Sequence, residues 1–207
     1  MTQTTKPHLL RRRFIAASLG AACLPLLLNA CTKAAEAEAA APWRDGGVID
    51  AANALAQVAG VAKGISVGSE KASRTVHVIF DPRCSHCAKL WIAAAPIAKE
   101  GSHRFVWVPV GLTSKESVIL AAAIWESPHP VAAMAANELS VAQKTGGMKL
   151  AGLPSEAAMQ VIKDNGRLAE MIGLQEVPIT MVKDSRGRAI VTAGSMETAR
   201  LREFLAR

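Results

Sequence analysis

Two cysteines separated by two residues, Cys84-Ser85-His86-Cys87, lie between an apolar run, Thr75 to Phe80, and a helix-compatible stretch beginning Ala88-Lys89-Leu90-Trp91. No other feature constrains the chain as much. A β-type run that turns directly into a helix places the first cysteine at the helix N-terminus, where free amide N–H groups and the macrodipole favour a thiolate. Three positions along a helix amount to about one turn, so the two sulfurs can close a disulfide. Cys84 is therefore the expected nucleophile. Cys87, one turn deeper, is the expected resolving thiol that attacks a mixed disulfide and releases the substrate.

At 207 residues and 50% hydrophobic composition, the chain can bury one core of ordinary size. Its formal charge of +7 suggests nucleic acid at first sight, but Lys6, Arg11, Arg12 and Arg13 all precede the first acid, Glu36. The remaining 20 basic residues face 17 acidic ones, and with four Trp, four Phe and no later basic run a nucleic-acid groove is not expected.

Residues 1–30 have a basic start, an apolar stretch from Phe14 to Leu28 and small residues after it, the layout of an export signal. Gly20 and Pro25 interrupt a stretch already short for a membrane span. Arg11-Arg12-Arg13-Phe14-Ile15 resembles a twin-arginine signal, and Leu28-Asn29-Ala30-Cys31 a bacterial lipobox, in which Cys31 would carry lipid. The expected compartment is the periplasm, with an acyl anchor to a membrane if Cys31 is modified. Cys23 then leaves with the leader, and Cys84 and Cys87 are the thiols of the folded part. An oxidising periplasm suits disulfide exchange.

Residues 31–45, rich in Ala and Glu, read as a tether. Residues 46–73 hold a short helix, marked by Val48, Ala52, Leu55 and Ala59 between Gly46-Gly47 and Gly60, and a strand at Ile65 to Val67. Residues 74–207 form the main domain. Its expected elements are a strand Arg74 to Phe80, a helix to about Lys99 kinked or ended by Pro96, and a strand Arg104 to Val110. Thr113 and Glu116 fit a capping box for a helix reaching Glu126. Val131 to about Lys144 and a Pro154 to Leu174 region interrupted near Asn165-Gly166 are helical. Strands Ile179 to Lys183 and Arg188 to Ala193 flank the turn Asp184-Ser185-Arg186-Gly187, and a last helix, Met196 to Ala206, has Ser195 as its expected cap.

This order resembles an α/β thioredoxin fold with an inserted helical domain, about 113–174, between the second central strand and the Val177-Pro178 hairpin. Within that fold the chain resembles the DsbC/DsbG-type periplasmic thiol:disulfide interchange proteins. The likeness rests on Phe80-Asp81-Pro82-Arg83-Cys84-Ser85-His86-Cys87, Leu90-Trp91, Val110-Gly111, Lys115-Glu116-Ser117, Ala121-Ala122-Ala123-Ile124, Gly146-Gly147-Met148-Lys149-Leu150 and Val177-Pro178. It implies a cis Pro178 beside the cysteines, with the Val177 backbone and Ser85 meeting an extended substrate strand. It also implies exchange through the Cys84–Cys87 pair with no external cofactor, on secreted proteins bearing disulfides or thiols, with a membrane electron-transfer partner of the DsbD type.

Three features depart from that pattern. The stretch between Cys31 and Thr75 is too short for the family's N-terminal dimerisation domain and linker helix, so a monomer or weak dimer is expected. Val177 stands where DsbC and DsbG carry Thr, as in the oxidase DsbA, and His86 also matches that oxidase although Ser85 does not. Position 78 is Val, so the buried carboxylate that thioredoxin places six residues before its first cysteine is absent there. His86 can stabilise the thiolate by hydrogen bonding or charge and make the disulfide more oxidising. Reductase or isomerase action thus stands beside a disulfide-donating alternative. A metal site on Cys84, Cys87 and His86 lacks a fourth ligand, and His77, His103 and His129 show no ligand spacing. From another class, a holdase chaperone or peptide-binding module could use the cleft near Pro178.

Overall fold

The computed structural model describes residues 43–207; the export signal, Cys23, Cys31 and most of the tether lie outside them. Helix α1 (Ala51–Val61) is followed by β1 (Ile65–Val67), β2 (Arg74–Phe80), α2 (Ser85–Lys99) and β3 (His103–Pro109). Three helices come next, α3 (Lys115–Glu126), α4 (Pro130–Ala142) and α5 (Glu156–Met171), then β4 (Ile179–Lys183), β5 (Ala189–Ala193) and α6 (Thr198–Leu205). The strands form one sheet in the order β1-β3-β2-β4-β5. β2 and β3 are parallel, joined through α2, while β1, β4 and β5 each pair antiparallel with their neighbours.

The strand alternation divides the core into two layers. Val76, Val78 and Phe80 of β2 join Phe105 and Trp107 of β3 against Leu90 and Ile97 of α2 and Leu201 and Phe204 of α6. Ile79, Val108, Ile179 and Met181 point the other way, onto Leu55 and Val58 of α1 and Leu168 and Ala169 of α5. Both faces of the central strands are therefore covered, as their near-continuous apolar sequences require. Met134 of α4 is fully buried in the first layer, which seats the helical insertion against the helix that carries Cys87.

Several boundaries differ from the sequence expectation. α1 starts after Asp50, whose carboxylate accepts from the Ala52 and Asn53 N–H groups, and continues past Gly60. α2 passes through Pro96 to Lys99 without an early end, since a proline in the last turn removes one hydrogen bond while buried Ile97 and Ala98 still anchor that turn. Ser114 caps α3 in place of Thr113, whose N–H and hydroxyl both go to Asp81. α4 ends at Ala142 and turns at Lys144, φ 59°.

α5 is continuous through Asn165-Gly166. The Asn165 side chain accepts from the Lys63 N–H at 3.0 Å and donates to the carbonyls of Lys63 and Pro109, so the pair that looked like a break fastens α5 to the sheet. α6 begins after Glu197, and Ser195 instead pairs with His86.

Candidate active site

Strand β2 ends at Phe80 and delivers the chain to Asp81, a fully buried carboxylate that organises the approach to the cysteines. Its Oδ1 accepts from the Arg83 N–H at 2.8 Å and the Ser117 hydroxyl at 3.0 Å. Its Oδ2 accepts from the N–H groups of Leu112 and Thr113 and from the Thr113 hydroxyl, at 2.8, 2.9 and 3.1 Å. One side chain thus ties the Cys84 loop to the β3–α3 connection. The Asp81 carbonyl also accepts from the Cys84 N–H at 3.0 Å.

Cys84 occupies the N-cap of α2 with extended backbone, and its carbonyl accepts from the Ala88 N–H. Its sulfur is half-buried, whereas Cys87 on the inner face of the first turn is 0% exposed. Both are free thiols. The Val177–Pro178 peptide bond is cis, and the Val177 carbonyl lies 3.7 Å from Cys84 Sγ. Pro178 is buried, and its carbonyl accepts from the Gly194 N–H at 2.8 Å. Residues 93 positions apart therefore meet at one sulfur. Ser85 and His86 are exposed on the first turn, and His86 Nδ1 lies 3.1 Å from Ser195 Oγ.

The two thiols are driven apart electrostatically. The Cys84 thiol falls to about 6, chiefly through the hydrogen bond its sulfur receives from Cys87, against the opposing effect of burial. The Cys87 and His86 backbone N–H groups and, last, the His86 charge add to the lowering. Burial pushes Cys87 well above the usual thiol range, reinforced by hydrogen bonding to Cys84 and by the Cys84 charge. Thiolate character is thus concentrated on the more accessible sulfur, which suits nucleophilic attack.

Because lowering the pKa favours the charged form, alkylation of reduced protein by iodoacetamide should rise through about pH 6 and level off above pH 7. Cys87→Ala should move that midpoint upward further than His86→Ala. A wild-type midpoint in the ordinary thiol range, or a larger shift from His86→Ala, would contradict this ordering.

Two features of the site were not anticipated in the sequence. Asp81 looked like part of a motif with no role of its own. Asn137 and Glu138 of α4 are both fully buried, and Asn137 Nδ2 donates to the Pro82 carbonyl at 2.8 Å and to Glu138 Oε1 at 3.0 Å. Their signal was the helical spacing Met134, Asn137, Glu138, Val141, which sets two polar residues in an apolar stripe. Among the described residues, no group of three or more His, Cys, Asp or Glu side chains is arranged to hold a metal ion, and no helix is long and apolar enough to cross a membrane.

The fold and the cysteine pair define a thioredoxin-fold chain with a helical insertion and a Cys-x-x-Cys site facing a cis-proline. Its structure is similar to the catalytic domain of Proteus mirabilis ScsC, with a TM-score of 0.59 at 16% identity over 74% of this chain and 95% of that one. In sequence it is similar to two curated thiol:disulfide interchange proteins named DsbG. It is 28% identical to the thiol:disulfide interchange protein DsbG of Pseudomonas aeruginosa over 142 residues, 68% of this chain and 54% of that protein. To the DsbG of Escherichia coli it is 30% identical over 114 residues, 54% of this chain and 44% of that protein. The chain thus spans about half the length of the curated relatives it matches. No protein-family model matches it.

Proposed function

We propose that the chain is a periplasmic thiol:disulfide oxidoreductase that exchanges disulfides with exported proteins through Cys84 and Cys87. The observation that carries this reading is the pairing of a half-buried, acidified Cys84 with a buried, high-pKa Cys87 at one helix N-terminus. In the reducing direction, the Cys84 thiolate attacks a substrate disulfide, forms a mixed disulfide and expels one substrate thiolate. Cys87 then attacks Cys84 Sγ, closing the Cys84–Cys87 disulfide and releasing the second substrate thiolate. Two electrons pass to the substrate and no cofactor is needed. The Val177 carbonyl, 3.7 Å from Cys84 Sγ, is the group we assign to main-chain pairing with an extended substrate peptide, with Ser85 and Pro178 as further substrate-binding residues.

Similarity to DsbG favours the reducing or isomerising direction, in which a membrane donor of the DsbD type would restore the dithiol. The low Cys84 pKa favours the opposite direction, because stabilising the reduced form makes the disulfide more oxidising. Location in the periplasm rests on the leader and on the same similarity, and an acyl anchor rests on Cys31.

The test is to assay insulin reduction and oxidation of a dithiol peptide side by side. Wild type should catalyse at least one, and Cys84→Ala should fall to the uncatalysed rate in both. Activity surviving in Cys84→Ala would rule the reading out.

A further inference from the structure

We infer that Ser195 is the positioning residue for His86: its hydroxyl holds the imidazole aside from the Cys84 sulfur and so keeps the Cys84–Cys87 disulfide less oxidising than a free histidine between the cysteines would make it. The inference rests on the exchange chemistry proposed above and bears on the direction in which that exchange runs.

His86 Nδ1 lies 3.1 Å from Ser195 Oγ, across 109 positions of sequence. The contact displaces a helix cap. α6 begins after Glu197, whose side chain makes no capping hydrogen bond, so the first-turn amides forgo a side-chain acceptor while the serine hydroxyl serves the histidine. Ser195 is itself held from both sides. Before it, the Gly194 N–H donates to the Pro178 carbonyl at 2.8 Å and the Ala193 N–H to the Arg44 carbonyl at 2.7 Å. After it, Met196 is buried in the first core layer, and the Thr198 hydroxyl donates to the Ala93 carbonyl at 3.2 Å, fastening the head of α6 to α2. The serine and the helix that carries His86 therefore belong to one framework. A hydroxyl also suits the task chemically, because it donates to a bare Nδ1 and accepts from a protonated one, holding the ring in either charge state.

What the ring leaves undone is equally informative. The Cys84 sulfur takes its hydrogen bonds from the Cys87 thiol and from the backbone N–H groups of Cys87 and His86, whereas the imidazole acts on it through charge alone, as the smallest contribution. His86 is exposed two residues after the nucleophile and has the means to do more. Freed, its N–H can turn to the thiolate as a donor, or lie against it as imidazolium. The charged residues nearest the pair in sequence are Arg83 and Lys89 beside the cysteines and Glu197 at the head of α6. Among the described residues none of them forms an ion pair with the imidazole, which leaves Ser195 as the restraint on the ring. Releasing it stabilises the thiolate and hence the dithiol, and a stabler dithiol makes the disulfide a stronger oxidant.

The experiment equilibrates wild type and variants with glutathione at pH 7, where the dithiol and oxidised glutathione exchange two electrons to give the Cys84–Cys87 disulfide and two molecules of reduced glutathione. Ser195→Ala should lower that equilibrium constant at least about threefold, a rise of about 14 mV in potential at about 30 mV per tenfold. The midpoint of Cys84 alkylation should move downward with it. Ser195→Thr, which keeps the hydroxyl, should stay within about twofold of wild type. In a His86→Ala background, Ser195→Ala should change nothing, because the effect runs through the imidazole. An unchanged or raised constant in Ser195→Ala, an equal shift in Ser195→Thr, or the same shift without His86 would each overturn the assignment. If wild type forms no Cys84–Cys87 disulfide at any ratio, the exchange reading itself fails and this inference with it, whereas normal wild-type equilibration with an indifferent Ser195→Ala removes the serine alone.

Discussion

A Cys87→Ser variant is expected to stop at the mixed disulfide, with substrate bound through Cys84, and to lose turnover by at least about a hundredfold. The reason is proximity. In wild type the resolving thiol lies one helical turn from Cys84, and a dissolved thiol at millimolar concentration cannot match the effective concentration of a tethered one. Non-reducing electrophoresis and mass spectrometry of extracts should show adducts that disappear on reduction and are absent from a Cys84→Ser, Cys87→Ser double variant. The asymmetry is the informative part. Cys84→Ser with Cys87 intact should trap nothing, because Cys87 is fully buried and its thiol is pushed well above the usual range. Adducts through Cys87, or none through Cys84, would reverse the assigned roles.

Asp81→Ala is expected to destabilise the folded chain by about 3 kcal/mol or more, the largest effect anticipated for any single polar replacement near the site. Five donors from the Arg83 and Leu112–Thr113 backbones and the Thr113 and Ser117 hydroxyls converge on this one carboxylate. Removing it leaves buried donors with no acceptor, each costing about 1–3 kcal/mol before relaxation. Asp81→Asn should recover little, because its NH2 group would face donors. Urea unfolding measures both. A loss below about 1 kcal/mol for Asp81→Ala would show that the loop is held by packing alone.

The cysteine pair and Val177-Pro178 were legible because their chemistry is local: a cysteine spacing, a strand before it, a helix after it and a proline opening a strand. The sheet was legible for a similar reason, since β2 and β3 are apolar on both faces and β4–β5 flank an Asp-x-x-Gly turn. Long-range engagement of polar side chains was not legible. A serine at a helix start reads as a cap whether its hydroxyl serves the helix or, as with Ser195, a histidine 109 residues away. Asn165-Gly166 reads as a break because nothing in the local sequence shows the Lys63 and Pro109 groups that occupy the asparagine. Asp81 and Glu138 have the same cause, as the residues that surround them lie on other elements. An acid interrupting an apolar helical stripe, as Glu138 does between Met134 and Val141, was the one readable hint.

The most direct measurement is equilibration of the folded chain with glutathione at graded ratios of reduced to oxidised form, followed by acid quench and mass analysis of Cys84 and Cys87. Disulfide exchange through this pair predicts one two-electron transition between the dithiol and an intramolecular Cys84–Cys87 disulfide, with Cys84–glutathione as a minor species. Its midpoint gives the reduction potential and with it the favoured direction of exchange. Persistence of Cys84–glutathione with Cys87 left as a thiol, or no oxidation of either cysteine at any ratio, would contradict it.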